Sequence, residues 1–171
     1  MDNNMRIIIG HPSKKPSRLV DLSTDQELVM KTASEMTELL MRENLAKQSK
    51  NRAGIALHHA QVSTNPLALF VVLPGVIQSQ EQGKYDTIVV NPKIIKKDNR
   101  YLVSEGCMSF PHRGDKKIER YLDVVVEYYT TQGEEFVKRQ LSATGVVAQV
   151  FQHECDHGAG TNIYQKWKAQ K

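Results

Sequence analysis

Little in this chain suggests covalent staples, a membrane span or a nucleic-acid groove. Two cysteines, Cys107 and Cys155, cannot build a disulfide framework, and free thiols near histidines fit a reducing compartment. There is no run of eighteen apolar residues, so no membrane-spanning segment is expected. Met1–Arg6 is polar and is followed only by the short apolar Ile7–Ile9, so no secretory signal is expected either. Aromatics are sparse and no basic run carries them interleaved. The net charge of +4 is scattered, gathering only at Lys166, Lys168 and Lys171, so a solvated face is expected there and no specific nucleic-acid partner. Repeats and low-complexity stretches are missing too. A chain of 171 residues with 40% hydrophobic content can bury a core of its own. One domain over residues 1–171, in the cytoplasm, is the expectation.

What the sequence does have is Gln152-His153-Glu154-Cys155-Asp156-His157. On a helix, residues four apart are separated by about 6 Å of rise and about 40° of rotation, so the two rings of H-E-x-x-H can reach one ion. Glu154 then stands where it can hold a water rather than the metal. The apolar, helix-compatible run from Gly145 to Gln152 favours a buried helix. The plainer alternative is a helix whose histidines only bond to neighbours, so a third ligand is the deciding feature. No His, Cys, Asp or Glu follows His157, so that ligand has to come from upstream. Cys107, after Gly106, is the best donor, although a buried cysteine can also be a small hydrophobe. A thiolate with two imidazoles leaves one corner of a tetrahedral site open, as catalysis requires.

Along the chain, residues 1–22 read as an extended arm wrapped on the body. Thr24 and Glu27 suggest a capping box opening a helix to about Lys47, with Leu28, Thr32, Met36, Leu39 and Leu40 as its buried stripe. The segment 51–62 holds small residues, His58, His59 and Gln61. Strands are expected at Leu67–Leu73, at Thr87–Val90 ended by Asn91-Pro92, at Ile94–Ile95 and at Tyr101–Ser104. Ile118–Tyr129 and Phe136–Leu141 read as a hairpin turning at Gln132-Gly133. Ile163–Trp167 reads as a short strand or turn. The resulting class is α+β, with mostly antiparallel short-stranded sheets around a central metal-binding helix and an N-terminal helix packed outside.

Two intact motifs, Glu105-Gly106-Cys107-Met108-Ser109 and Gln152-His153-Glu154-Cys155-Asp156-His157, together with Val89–Ile95 and Ile118-Glu119-Arg120, resemble the peptide deformylase family over roughly residues 20–165. A third family motif, G-x-G-L-A-A-x-Q, departs. Here it reads Gly54-Ile55-Ala56-Leu57-His58-His59-Ala60-Gln61, and a leucine usual after the histidine motif is Gly158.

The resemblance implies one divalent metal per chain on Cys107, His153 and His157. Fe2+ is the expected native ion, with Zn2+, Ni2+ or Co2+ able to replace it. It implies hydrolysis of the formyl group from N-formylmethionyl nascent peptides. Glu154 moves the proton, and the Gln61 amide and Met108 backbone N–H steady the charge on the oxygen. The peptide is expected along Gly54, Ile55 and Ala56, with Ile55 and Val150 framing a methionine pocket. The ribosome is a partner by implication and a membrane is not. Two alternatives stay open: a metalloamidase or peptidase of altered substrate range, and a metal-binding homologue without turnover.

Around the motifs, Gln152 and Asp156 are candidates to orient the ligands, with Asp156 equally readable as a surface carboxylate or an ion-pair partner. Cys155, about 200° round the helix from His153, is expected to face away. Glu105 is expected to bond locally, and Arg120 either to brace it or, more simply, to lie exposed. His58 and His59 suit bulky fillers beside the sheet better than a second metal site, because they lack a third donor.

Overall fold

The structure, a computed structural model, describes residues 5–10, 12–47, 54–79 and 83–171, so the readings of 1–4 and 51–53 lie outside the described residues. The elements run α1 (Gln26–Lys47), β1 (Ala56–His58), a 3-10 turn (His59–Gln61), β2 (Leu69–Val72), β3 (Ile77–Gln78), β4 (Tyr85–Asp86), β5 (Ile88–Glu105), β6 (Lys116–Gln132), β7 (Glu135–Thr144), α2 (Gly145–Gly158) and α3 (Ile163–Ala169). Five strands form one antiparallel sheet in the order β1-β2-β5-β6-β7, and β3 pairs with β4 alone. The architecture is α+β and antiparallel, as expected.

The sheet is covered on both sides. The run Leu69-Phe70-Val71-Val72 is apolar throughout because both of its faces are buried. Leu69 and Val71, with Leu57, face Val29, Ala33, Met36 and Leu40 of α1. Phe70 and Val72, with Ala56, pack with Val126, Tyr128 and the α2 residues Ala148, Val150 and Phe151. Phe151 meets Phe70 edge-on at 5.5 Å between ring centroids. Each such fully buried side chain is worth about 1.5–3 kcal/mol relative to exposure, so α2 is held centrally by its own apolar face.

Three local expectations change. Helix α1 begins at Gln26, so Asp25 rather than Thr24 stands immediately before it. The Asp25 carboxylate accepts from the Asp21 N–H at 2.9 Å and pairs with Arg18 at 2.7 Å. Of the expected stripe, Thr32, Met36, Leu39 and Leu40 are buried, whereas Leu28 is 46% exposed and Val29 is buried in its place. The short strands expected between Thr87 and Ser104 are one strand of 18 residues. Asn91-Pro92 does not end it. The chain bulges between Val90 and Lys93, Asn91 takes φ 50°, and its side chain exchanges two hydrogen bonds with the Val20 backbone at 2.8 and 2.9 Å. Finally, Ile163–Ala169 is a helix because the Asn162 side chain caps it, accepting from the Tyr164 and Gln165 N–H groups.

The β6–β7 hairpin matches its expected turn, with Gln132 paired to Glu135 across Gly133 at φ 63°. The arm also lies as expected. Its backbone bonds the carbonyls of Gln61 (from Ile8), Ser109 (from Gly10), Ala60 (from Ser13) and Gly158 (from Ser17) at 2.6–2.8 Å. No helix among the described residues is long and apolar enough to cross a membrane.

Candidate metal centre

Helix α2 starts directly off β7 through Gly145, whose φ of 59° lets the chain turn without a loop. The Gln152 side chain then fixes its rotation, accepting from the Tyr121 N–H at 2.9 Å and donating to the Tyr121 carbonyl at 2.8 Å. A helix clamped to the backbone of β6 in this way presents His153 and His157 on the side toward the end of β5, where Cys107 follows Glu105.

Donor atoms of Cys107, His153 and His157 all lie within 4.8 Å of one another, and Cys107 Sγ is 3.4 Å from His157 Nε2. Metal–sulfur and metal–nitrogen bonds of about 2.3 and 2.0–2.1 Å at tetrahedral angles put such donors about 3.5 Å apart. Donor type and spacing therefore fit a divalent ion. Among the described residues this is the one cluster of its kind.

A buried ionic chain stands behind the first histidine. His153 Nδ1 lies 3.0 Å from Glu105 Oε2. Glu105 accepts two bonds from Arg120, Nε to Oε1 and Nη2 to Oε2, both at 2.8 Å. Arg120 Nη1 reaches Asp156 at 2.6 Å, and Lys166 closes on Asp156 from α3 at 2.7 Å. Arg120 is 1% exposed, which overturns the simpler expectation of a surface residue, and Asp156 is an ion-pair partner. Burial would raise the Glu105 carboxyl, but the bonds from Arg120 and His153 win and hold it down to about 2. His153 is pushed down by burial and carried well above its ordinary value by its bonds to Cys107 and Glu105. His157 is held well below, by burial first and then by the neighbouring His153 and His58. A neutral imidazole is the form that binds metal.

Glu154 is buried, with Oε2 lacking a partner among the described residues, and burial lifts its carboxyl to about 7. That value suits a group that takes and returns a proton near neutrality. The Gln61 amide is fixed by the backbone of its own turn: Oε1 accepts from the His58 N–H at 2.9 Å, so Nε2 points inward, 3.6 Å from Cys107 Sγ and 3.3 Å from Ser109 Oγ. A cleft of about 990 Å³ opens over these groups. Gly54, Ile55, Ala56, Gln61, Cys107, Met108, Val150, His153 and Glu154 all line it. The remaining site residue expected from the sequence, His157, joins Cys107 and His153 in the donor cluster. The Met108 side chain lies over Gly54, where any Cβ would overlap its sulfur.

His58 and His59 do not form a second cluster. His58 Nδ1 accepts from the Ala60 N–H at 3.0 Å and His59 Nδ1 from the Leu67 N–H at 2.9 Å. Burial pushes them to about 3 and about 4, so both are neutral. Cys155 is not among the clustered donors, and burial pushes its thiol up to about 12. Sequence reasoning missed the weight carried by Arg120. Its signal was the alternation of β6, which puts Arg120 on the same buried face as Ile118.

The family model for polypeptide deformylase matches residues 8–171. Peptide deformylase of Pseudoalteromonas translucida (strain TAC 125) is 40% identical over 85 residues, 50% of this chain and 48% of that protein, so this match spans about half of its length. Peptide deformylase of Streptococcus pneumoniae (strain Hungary19A-6) is 28% identical over 153 residues, covering 84% of this chain and 73% of that protein. The crystal structure of peptide deformylase from Thermotoga maritima superposes with a TM-score of 0.71 at 30% identity, over 95% of this chain and 96% of that one.

Proposed function

The chain belongs to the polypeptide deformylase family and is a metal-dependent enzyme acting on N-formyl peptides; we propose that it does this work with Cys107, His153 and His157 as metal ligands, Glu154 as the proton carrier, and Gln61 and Met108 as donors to the carbonyl oxygen. The convergence of a thiol and two imidazoles beside a buried carboxyl, at the floor of an open cleft, supports this reading. Fe2+ is the native ion in this proposal, with Zn2+, Ni2+ or Co2+ as substitutes. The ion supplies Lewis acidity, lowering the pKa of a water toward neutrality.

Glu154 takes the proton of the attacking water and returns it to the leaving amine. The formyl C–N bond breaks, and formate and a free α-amine leave. Negative charge builds on the formyl oxygen, where the Gln61 Nε2–H and the Met108 backbone N–H donate; a donor of this kind is typically worth about 2.7–4 kcal/mol. Glu105, through His153, holds one ligand in place. The peptide lies along Gly54, Ile55 and Ala56 as an added strand, its methionine side chain between Ile55 and Val150. Ala56 adds a methyl where the family motif has glycine, so it narrows that approach. The whole of residues 1–171 acts as one catalytic domain. Because the substrate is a nascent chain, the proposal includes the cytoplasm and an encounter with the ribosome.

The test is formate release from a formyl-Met peptide by iron-loaded protein, beside acetyl-Met and unblocked peptides and a chelated control. Release from the formyl peptide alone, abolished by the chelator, is expected. Cleavage of unblocked peptides would favour the peptidase reading, and metal binding without any turnover would favour a binding homologue.

A further inference from the structure

His58 is fully buried and its Nε2 has no partner among the described residues. The same holds for Nδ1 of His157, which is 1% exposed. The two rings face one another with centroids 6.4 Å apart and planes inclined by 32°. A direct bond between them would need one nitrogen to accept, and local chemistry forbids it on both sides. His58 Nδ1 accepts from the Ala60 N–H, so in the neutral ring the proton sits on Nε2. His157 Nε2 is the atom beside Cys107 Sγ, so a metal there leaves the proton on Nδ1. Two buried N–H donors on rings 6.4 Å apart are thus left, and each needs an acceptor.

We propose that one buried water sits between His58 Nε2 and His157 Nδ1, accepting from both, and that through it His58 acts as a positioning residue for the metal ligand His157. Two N–H···O bonds of about 2.9 Å each span rings at this separation. Gly158 makes the room, since a Cβ at that position would stand 3.2 Å from His58 Nε2. Metal-bound histidines almost always donate their second N–H to an oxygen, and loss of that partner typically lowers metal affinity about 10–100-fold. In this chain the partner is a water held by a histidine, in place of a carboxylate or carbonyl.

The inference rests on His157 being a metal ligand, as proposed above. Zinc content of the full-length protein tests that separately: wild type holding no zinc sinks the ligand assignment, whereas zinc bound with normal affinity by the variants below sinks only the water bridge. His58→Leu fills the space with apolar surface and excludes the water. Zn2+ affinity, measured by competition with a chelator, is expected to fall at least tenfold, and His58→Gln, which keeps a donor, to stay within about threefold of wild type. If His58→Leu does not fold, Gly158→Ala presses a methyl onto Nε2 and is expected to weaken zinc binding likewise. Ring-nitrogen NMR of the zinc-loaded wild type supplies a readout independent of substitution. The proton is expected on Nε2 of His58 and on Nδ1 of His157, both close to a slowly exchanging water. A proton on Nδ1 of His58, or unchanged zinc affinity in His58→Leu and Gly158→Ala, overturns the proposal.

Discussion

Replacing Arg120 by methionine removes the one cation that touches both Glu105 and Asp156. The two carboxylates do not suffer equally. Asp156 is 14% exposed at its side chain and keeps Lys166 at 2.7 Å, so water and a second cation take over. Glu105 is 2% exposed and, among the described residues, keeps only His153. Breaking a buried pair from one side costs about 3–5 kcal/mol, because the remaining charge is stranded. For a domain of this size each kcal/mol moves Tm by about 2–4 °C, so chelated Arg120→Met should melt roughly 6–20 °C below chelated wild type. Chelation keeps metal binding out of the comparison. Glu105→Gln with Arg120→Met removes both charges while the amide can still meet His153, so the double variant should be more stable than the two single losses predict, by at least about 1 kcal/mol. A Tm within 2 °C of wild type for Arg120→Met would refute the argument. Strict additivity of the pair would do so equally.

Glu154→Gln should retain one metal per chain and lose about 10²–10⁴-fold in kcat, checked by metal analysis beside formate release. Gln61→Ala should lower kcat about 10²–10³-fold and, because it also strands the buried His58 N–H, lower Tm by about 2–12 °C. Gly54→Ala displaces the flexible end of Met108 over the cleft, so kcat/KM for formyl-Met peptides should drop about tenfold or more while metal content stays full. Removing the metal should expose one thiol and not two: iodoacetamide should label Cys107 in chelated protein, while Cys155, pushed up to about 12, stays unlabelled until denaturation. Mass spectrometry of the labelled peptides reads this directly.

Much of the centre was legible because its spacing is local. His153 and His157 are set by one helical turn, and the run before them already marked a helix. Cys107 was found by eliminating other donors and by its motif. What escaped depends on partners distant in sequence. Asn91-Pro92 looks like a strand end until Val20 supplies the bonds that let the bulge continue. Asn162 followed by Ile163 and Tyr164 is a helix cap, but the short apolar run after it drew a strand reading. On α1 the expected Thr32, Met36, Leu39 and Leu40 are buried, but in the first turn Val29 and not Leu28 faces the core. Arg120 was judged by its charge rather than by its phase along β6, though the phase decides where a strand residue points.

The arm has a consequence for how the site is held together. Its backbone fastens the turn holding Gln61, the segment holding Ser109 and the end of α2 at Gly158, and the carbonyl of Lys14 lies so close to Gly160 that any larger residue there would collide. A short extended segment thus ties together three parts of the chain that lie far from it in sequence. Contacts of that span close late in folding. Cutting the arm away should therefore loosen all three segments in a single event, so that Gln61 and the end of α2 lose their positions together.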